Sequence, residues 1–327
     1  MTKTKYIFRR LGECMVSLVV LSIVIFSLLH IAPGDPARSL VGAKKVTPEL
    51  LEAIREQYHL NDPFLTQYGR WVWNALRLNF GNSIKAGYSV TAYVAPHASV
   101  TFILVGISLL FSTIIGVLLG VISARNKGKL SDKTIDISSL IGTSAPTFAV
   151  ALLLLYIFSY WFGIFPMYGI GDENNFLDVL WHMMLPAITL TIETAAVLIR
   201  ISRSAMIAEI SSDYTTFLRA RAIPTKKIVL AQLKNASGPI LTSTGLMLAG
   251  LFGSTIMVET VFSIPGLGGL LVQSVTFSDV PVVQFITIML AFLICLTSAL
   301  VDIMVYLINP LTHKANVKLE TAIKGET

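Results

Sequence analysis

Six apolar runs, each near the roughly 20 residues that cross the hydrocarbon of a bilayer, limit what this chain of 327 residues can become. They lie at Cys14–Ala32, Ala98–Ala124, Ile137–Phe162, Met183–Ile199, Pro239–Val261 and Val280–Leu307. Lipid offers backbone N–H and C=O groups no water, so a spanning segment must be a helix or part of a closed barrel. Unbroken apolar runs lack the alternation of barrel strands. The expectation is an all-α integral membrane protein with six transmembrane helices. Composition agrees, with 54% hydrophobic and 13% charged residues and a mean hydropathy of +0.71, too apolar for an ordinary soluble domain.

Lys and Arg in short connections set the expected orientation, because they collect on the cytoplasmic side. Lys3, Lys5, Arg9 and Arg10 precede the first span; Arg125, Lys127, Lys129 and Lys133 follow the second; seven cations fall between Arg200 and Lys234. Connections 163–182 and 262–279 carry none. Both termini are therefore expected inside. The segment 33–97 is expected outside despite seven cations, since long loops translocate largely regardless of charge. This reading explains the net charge of +6 without nucleic acid as a partner. The positive N-terminus followed by an apolar run resembles a signal peptide, but its length and the lack of a small-residue cleavage site favour a retained span.

No phosphate loop, H-E-x-x-H, G-x-S-x-G or clustered Cys/His set occurs, so neither catalysis nor a metal site is expected of this chain. Cys14 and Cys295 both sit in apolar runs and read as packing residues rather than a disulfide. SIPGLGG at 263–269 lacks the lysine of a nucleotide loop and reads as a re-entrant or turn element. In the external segment, TPELLEAIREQYHL has a capping Thr47, Pro48 suited to the first helical turn, and Leu50, Leu51, Ile54 and Tyr58 on one face. A second amphipathic helix groups Phe64, Tyr68, Trp71 and Leu76. These helices could form a lid on the span ends or a docking surface for an outside partner.

Small residues one turn apart permit close helix approach in lipid. Gly116 and Gly120 do so in the second span, and Gly245, Ala249 and Gly253 in the fifth, where a subunit interface or pathway lining is the favoured reading. Glu193 and Glu259, carboxylates within or at the edge of spans, are candidates for the translocation pathway, since such groups usually face a bundle interior or a water-filled path. Glu259 has the alternative role of bracing the PGLGG turn. The stretch DYTTFLRARAIPTKKIV at 213–229 threads Phe217, Leu218 and Ala220 among Arg219, Arg221, Lys226 and Lys227. A solvated loop explains the charges but not the apolar residues between them.

Several stretches together resemble the inner-membrane permease subunits of the dipeptide, oligopeptide and nickel ABC importers. They are the N-terminal RRL, HIAPGDP at 30–36, HMMLPAITL at 182–190, RISRSAM at 200–206, DYTTFLRARAI at 213–223, VETVFSIPGLGGLL at 258–271, D-x-P-V-V-Q at 279–284 and VDIMVYLINP at 301–310. The resemblance implies a type I ABC permease fold. It makes Asp213, Tyr214, Phe217, Leu218, Arg219, Ala220, Arg221 and Ala222 the helix that fits a cleft on an ATP-hydrolysing subunit. It further implies a second related permease, two ATPase subunits that alone bind Mg-ATP, and an extracytoplasmic solute receptor. The expected location is the bacterial inner membrane, with lipid around the spans. The divisions expected are 1–32, the external segment 33–97, a five-helix core 98–308 containing the coupling loop 200–238, and a tail 309–327. A nickel or metal-chelate importer is the alternative within the family; a secondary transporter would need inverted repeats. Two departures stand out: Ala222 replaces the usual glycine, implying a helical or slightly displaced turn, and Asn309, Pro310 and Leu311 replace the usual NPR ending.

Overall fold

In the computed structural model the described residues are 3–31, 47–57 and 61–308, and all their regular structure is helical apart from one isolated bridge between Asn82 and Ser89. Among them, five helices are long and apolar enough to cross a membrane: α1 (Lys3–Ile31), α4 (Val90–Arg125), α7 (Phe176–Ile210), α9 (Thr225–Val261) and α11 (Val280–Ile308). Two short helices, α2 (Pro48–Gln57) and α3 (Phe64–Leu76), follow the first span. As Thr47 and Pro48 suggest, α2 starts with Leu51 N–H donating to the Thr47 carbonyl at 3.2 Å. Residues 32–46 with most of HIAPGDP, residues 58–60 with Tyr58, and the tail with Asn309, Pro310 and Leu311 lie outside the described residues, as do the side chains of Leu50 and Ile54.

The third expected span is not one rod. Helix α5 (Leu130–Ser144) and helix α6 (Thr147–Leu154), which continues as a π-helical stretch Leu155–Trp161, meet at a bend of 104°. Pro146 disfavours helical backbone at the residue before it. Ala145 accordingly has ψ 126°, and Pro146 itself has ψ 130°, so two successive extended residues turn the chain. Mean hydropathy sees the 26-residue run and is blind to that corner. The short fourth run at Met183–Ile199 is the middle of the 35-residue α7. Its start is capped by Asn175, whose side-chain oxygen accepts from Leu177 N–H at 3.1 Å. The PGLGG stretch opens a short apolar helix, α10 (Leu267–Thr276).

Two compact units divide the chain. One holds residues 1–103 and 263–296, the other 104–262 and 297–327. In the first, Val90 and Val94 of α4 pack with Leu267 and Leu270 of α10 and with Val282 and Ile286 of α11. The Thr101 hydroxyl accepts from Leu267 N–H at 2.8 Å, satisfying a donor in the first turn of α10. In the second unit the core joins Ala124, Leu198, Met206, Ala236 and Ile240, from α4, α7 and α9. Lipid tails are as apolar as such a core, so close packing and hydrogen bonds, rather than escape from water, distinguish these helix contacts. Both thiols are free, and Cys14 donates to the carbonyl of Cys295 at 3.3 Å.

Candidate functional site

The connection from α7 to α9 folds into a short helix, α8 (Asp213–Ala220), and local chemistry accounts for both of its ends. Ser212 is the N-cap: its hydroxyl accepts from Thr215 N–H at 3.3 Å and donates to the Glu209 carbonyl at 2.7 Å. Asp213 in the first turn complements the helix dipole. At the other end Ala222 N–H bonds the Arg219 carbonyl at 2.9 Å and Ile223 N–H bonds the Leu218 carbonyl at 3.3 Å. That pair of bonds is the Schellman closure, which needs a left-handed residue where Ala222 sits. Ala222 adopts it, with φ 53°. The sequence reading expected alanine to stay helical or shift the turn; instead the glycine geometry is kept and alanine bears its steric cost. Pro224 then stands at the N-cap position of α9.

One face of α8 is locked to the rest of the chain. Thr215 is fully buried; its hydroxyl donates to the Glu209 carbonyl at 2.6 Å and accepts from Gln232 Nε2 at 3.1 Å. Gln232, on α9, is itself buried, and Asn235 one turn on donates to Glu209 Oε2 at 3.2 Å. The opposite face is open. Tyr214, Phe217, Arg219, Ala220 and Arg221 are exposed, Leu218 is half-buried, and the Arg221 guanidinium lies 5.5 Å from the centre of the Phe217 ring. Beside them, Arg125, Arg219, Ile223, Ile228 and Gln232 line a pocket of about 370 Å³. Sequence reasoning found the outward residues and missed Thr215 and Gln232. A glutamine on an otherwise apolar stretch of α9 was the available signal.

A second polar knot lies nearby on α7. Asp132, almost wholly buried at the start of α5, accepts both Arg203 Nε and Nη2, at 2.7 and 2.9 Å. Ser123 Oγ at 2.6 Å and Gly128 N–H at 2.8 Å donate to the same carboxylate. The bidentate pair and its two further donors fasten the α4–α5 connection to α7. Neither residue was singled out from sequence, because they are 71 positions apart.

Farther along α7, Glu193 is partly buried and accepts a hydrogen bond from the Thr147 hydroxyl. Thr147 is the first residue after the Pro146 corner, so this carboxylate holds the bend. Glu259, near the end of α9, is fully buried. The small residues divide into two kinds. A Cβ on Gly116 would meet the Leu198 side chain at 2.7 Å, and one on Gly120 would meet Ser202 Cβ at 2.5 Å and the Ile199 carbonyl at 2.9 Å. Gly245 is similarly filled by the side chain of Val301. Ala249 is half-buried, while Gly253 is exposed with open space where a Cβ would be. An apolar groove of about 510 Å³ runs among α4, α5 and α7 past Ile115, Gly142, Ile192 and Ala195.

Residues 116–314 match the family of the inner membrane component of binding-protein-dependent transport systems, and residues 3–89 match the N-terminal part of its membrane component. The chain belongs to that family. The permease is 34% identical over 93% of its length to "Probable peptide ABC transporter permease protein y4tP" of Sinorhizobium fredii, covering 98% of that protein. It is 32% identical to the glutathione transport system permease protein GsiC of Escherichia coli, over 93% of this chain and 97% of that one. With the dipeptide transport system permease protein DppB of Escherichia coli it shares 29% identity, over 95% and 99%. Among solved structures, a chain of the MetNI methionine ABC transporter in an inward-facing conformation superposes with a TM-score of 0.55 at 19% identity. That match covers 66% of the permease and 95% of the other chain, and it places the fold with the type I ABC permeases.

Proposed function

We propose that this permease forms half of the translocation pathway of an ATP-driven importer for short peptides, and that α8 is the element an ATPase subunit grips. The observation that carries the reading is the two-sidedness of α8: Thr215 and Gln232 fix its inner face, while Tyr214, Phe217, Arg219 and Arg221 stand outward. A helix held this rigidly passes on a push, and its aromatic and guanidinium groups suit a buried interface. The peptide assignment rests on the relatives, whose names concern peptides, dipeptides and glutathione.

The partners in this reading are a second permease chain, two ATPase subunits that hold Mg-ATP, and an extracytoplasmic solute receptor. This chain binds no nucleotide of its own. It lies in the bacterial inner membrane with 125–134 and 200–238 inside, 33–97 outside and 98–308 as the transport core. The open stripe at Gly253 faces the second permease or the pathway. Glu193, the less buried of the two carboxylates, is the one a solute amino group could reach; Glu259 is fully buried near the end of α9.

The test is Arg219→Glu with Arg221→Glu. Both side chains are exposed, so the variant should insert and accumulate as the wild type does, yet lose ATPase co-purification and peptide uptake. Normal uptake with undiminished ATPase recovery would return α8 to the status of a solvated loop.

A further inference from the structure

Helix α3 has three faces, and two of them are accounted for. Phe64, Tyr68 and Trp71 converge on the single ring of Phe26 in α1, with centroids at 5.3, 5.5 and 5.6 Å. Leu76, which the sequence reading put on that face, does not join it and is 75% exposed. The polar face is Thr66, Arg70, Asn74 and Arg77, all exposed. At 3.6 residues per turn, Leu65, Gly69, Val72, Trp73 and Leu76 fall on a third arc of about 100°. Leu65 and Trp73 on this arc are 78% and 57% exposed. Within this unit, no described core packs on that apolar stripe.

The depth of α3 identifies what covers it. The apolar run of α1 continues to Ala32. At 1.5 Å per residue Phe26 lies about 9 Å inside that end, and Tyr68 also shares a 2.7 Å hydrogen bond with Ser22, one turn deeper. One turn along α3 from Tyr68, a second span is met at a similar depth. Trp71 Nε1 donates to Gln284 Oε1 at 3.1 Å, four residues into the span that begins at Val280. Two spans thus fix α3 at the edge of the hydrocarbon, the zone in which amphipathic helices bury their apolar face about 5–10 Å deep.

We propose that the Leu65–Trp73–Leu76 stripe is a lipid-interface anchor, seated in the acyl and headgroup boundary of the leaflet at the Ala32 end of the first span. Its chemistry fits that occupant. Trp73 is the residue type of interfacial belts. The Arg77 guanidinium lies 4.4 Å from the centre of the Trp73 ring, a cation at the rim of the apolar arc where lipid phosphates lie, while the exposed Arg70 on the polar face is paired with Asp62 at 2.5 Å. The anchor belongs to the N-terminal segment matched separately at 3–89 and does not depend on the role of α8.

The test is site-directed spin labelling of the full chain in phosphatidylcholine/phosphatidylglycerol nanodiscs, with Cys14→Ser and Cys295→Ser. Nitroxides on Leu65→Cys, Trp73→Cys and Leu76→Cys should collide severalfold more with oxygen, relative to a water-soluble nickel chelate, than labels on Thr66→Cys and Asn74→Cys. Equal nickel-chelate access at all five positions would mean the stripe faces water and would overturn the proposal. Low collision with both reagents at the three stripe positions would mean that protein, either a second copy or another part of the chain, covers it, and would overturn the proposal as well.

Discussion

Ala222 carries a steric cost that its neighbours impose. A left-handed backbone costs a residue with a Cβ about 1–2 kcal/mol, and here the two Schellman bonds require it. Glycine removes that cost but frees the unfolded chain, which takes back about 0.4–1 kcal/mol. Ala222→Gly should therefore raise the stability of the detergent-solubilised chain by up to about 1 kcal/mol, read as an upward shift of the thermal midpoint. Ala222→Val, β-branched at positive φ, should lower it by about 1–3 kcal/mol. Equal midpoints for the three chains would mean that the turn is not held as described. The missing glycine was legible in the sequence, but its consequence was not. Whether an alanine bends or the turn yields depends on how firmly α8 is held, and that is decided by Thr215 and Gln232 across 17 positions.

Elements were legible where composition alone decides them. Five of the spans appear at their expected places because length and apolarity suffice in lipid. The third failed as a rod because a corner costs nothing in hydropathy, although Pro146 marked it. Glycine spacing told where helices could approach but not which neighbour filled the gap. At Gly120 the filler is α7, so Gly120→Ala must part α4 from α7 and should destabilise the chain by about 1–3 kcal/mol. Gly253→Ala meets open space and should leave the stability of the isolated chain unchanged. Thermal unfolding of the two variants side by side checks the contrast, and a larger loss at 253 than at 120 would reverse the packing assignment.

At the scale of the whole molecule, the sequence match falls into two parts, 3–89 and 116–314, whereas the two compact units divide differently, with 263–296 of the second match in the same unit as 1–103. Placing the charge-rich connections on one side makes a simple prediction about sidedness. Ser131 and Ser89 are exposed, whereas the neighbouring Ser83 is buried against Asp279 and would be a poor reporter. With Cys14 and Cys295 removed, an impermeant thiol reagent added outside intact cells should label Ser89→Cys and leave Ser131→Cys unlabelled until the membrane is opened. Labelling of both from one side would overturn the six-crossing arrangement.

Between Glu193 and Ile210 helix α7 contains neither glycine nor proline, and its interior Pro186 lies on the far side of Glu193. Seventeen residues of unbroken helix span about 25 Å. Gly116, Gly120 and the Asp132–Arg203 pair clasp that length along its side. Mechanically this is a lever with α8 at one end and the Thr147–Glu193 contact at the other. A tilt of about 5° imposed at α8 becomes a displacement of about 2 Å over that length. That displacement arrives at the Thr147–Glu193 contact, beside the extended corner at Ala145 and Pro146.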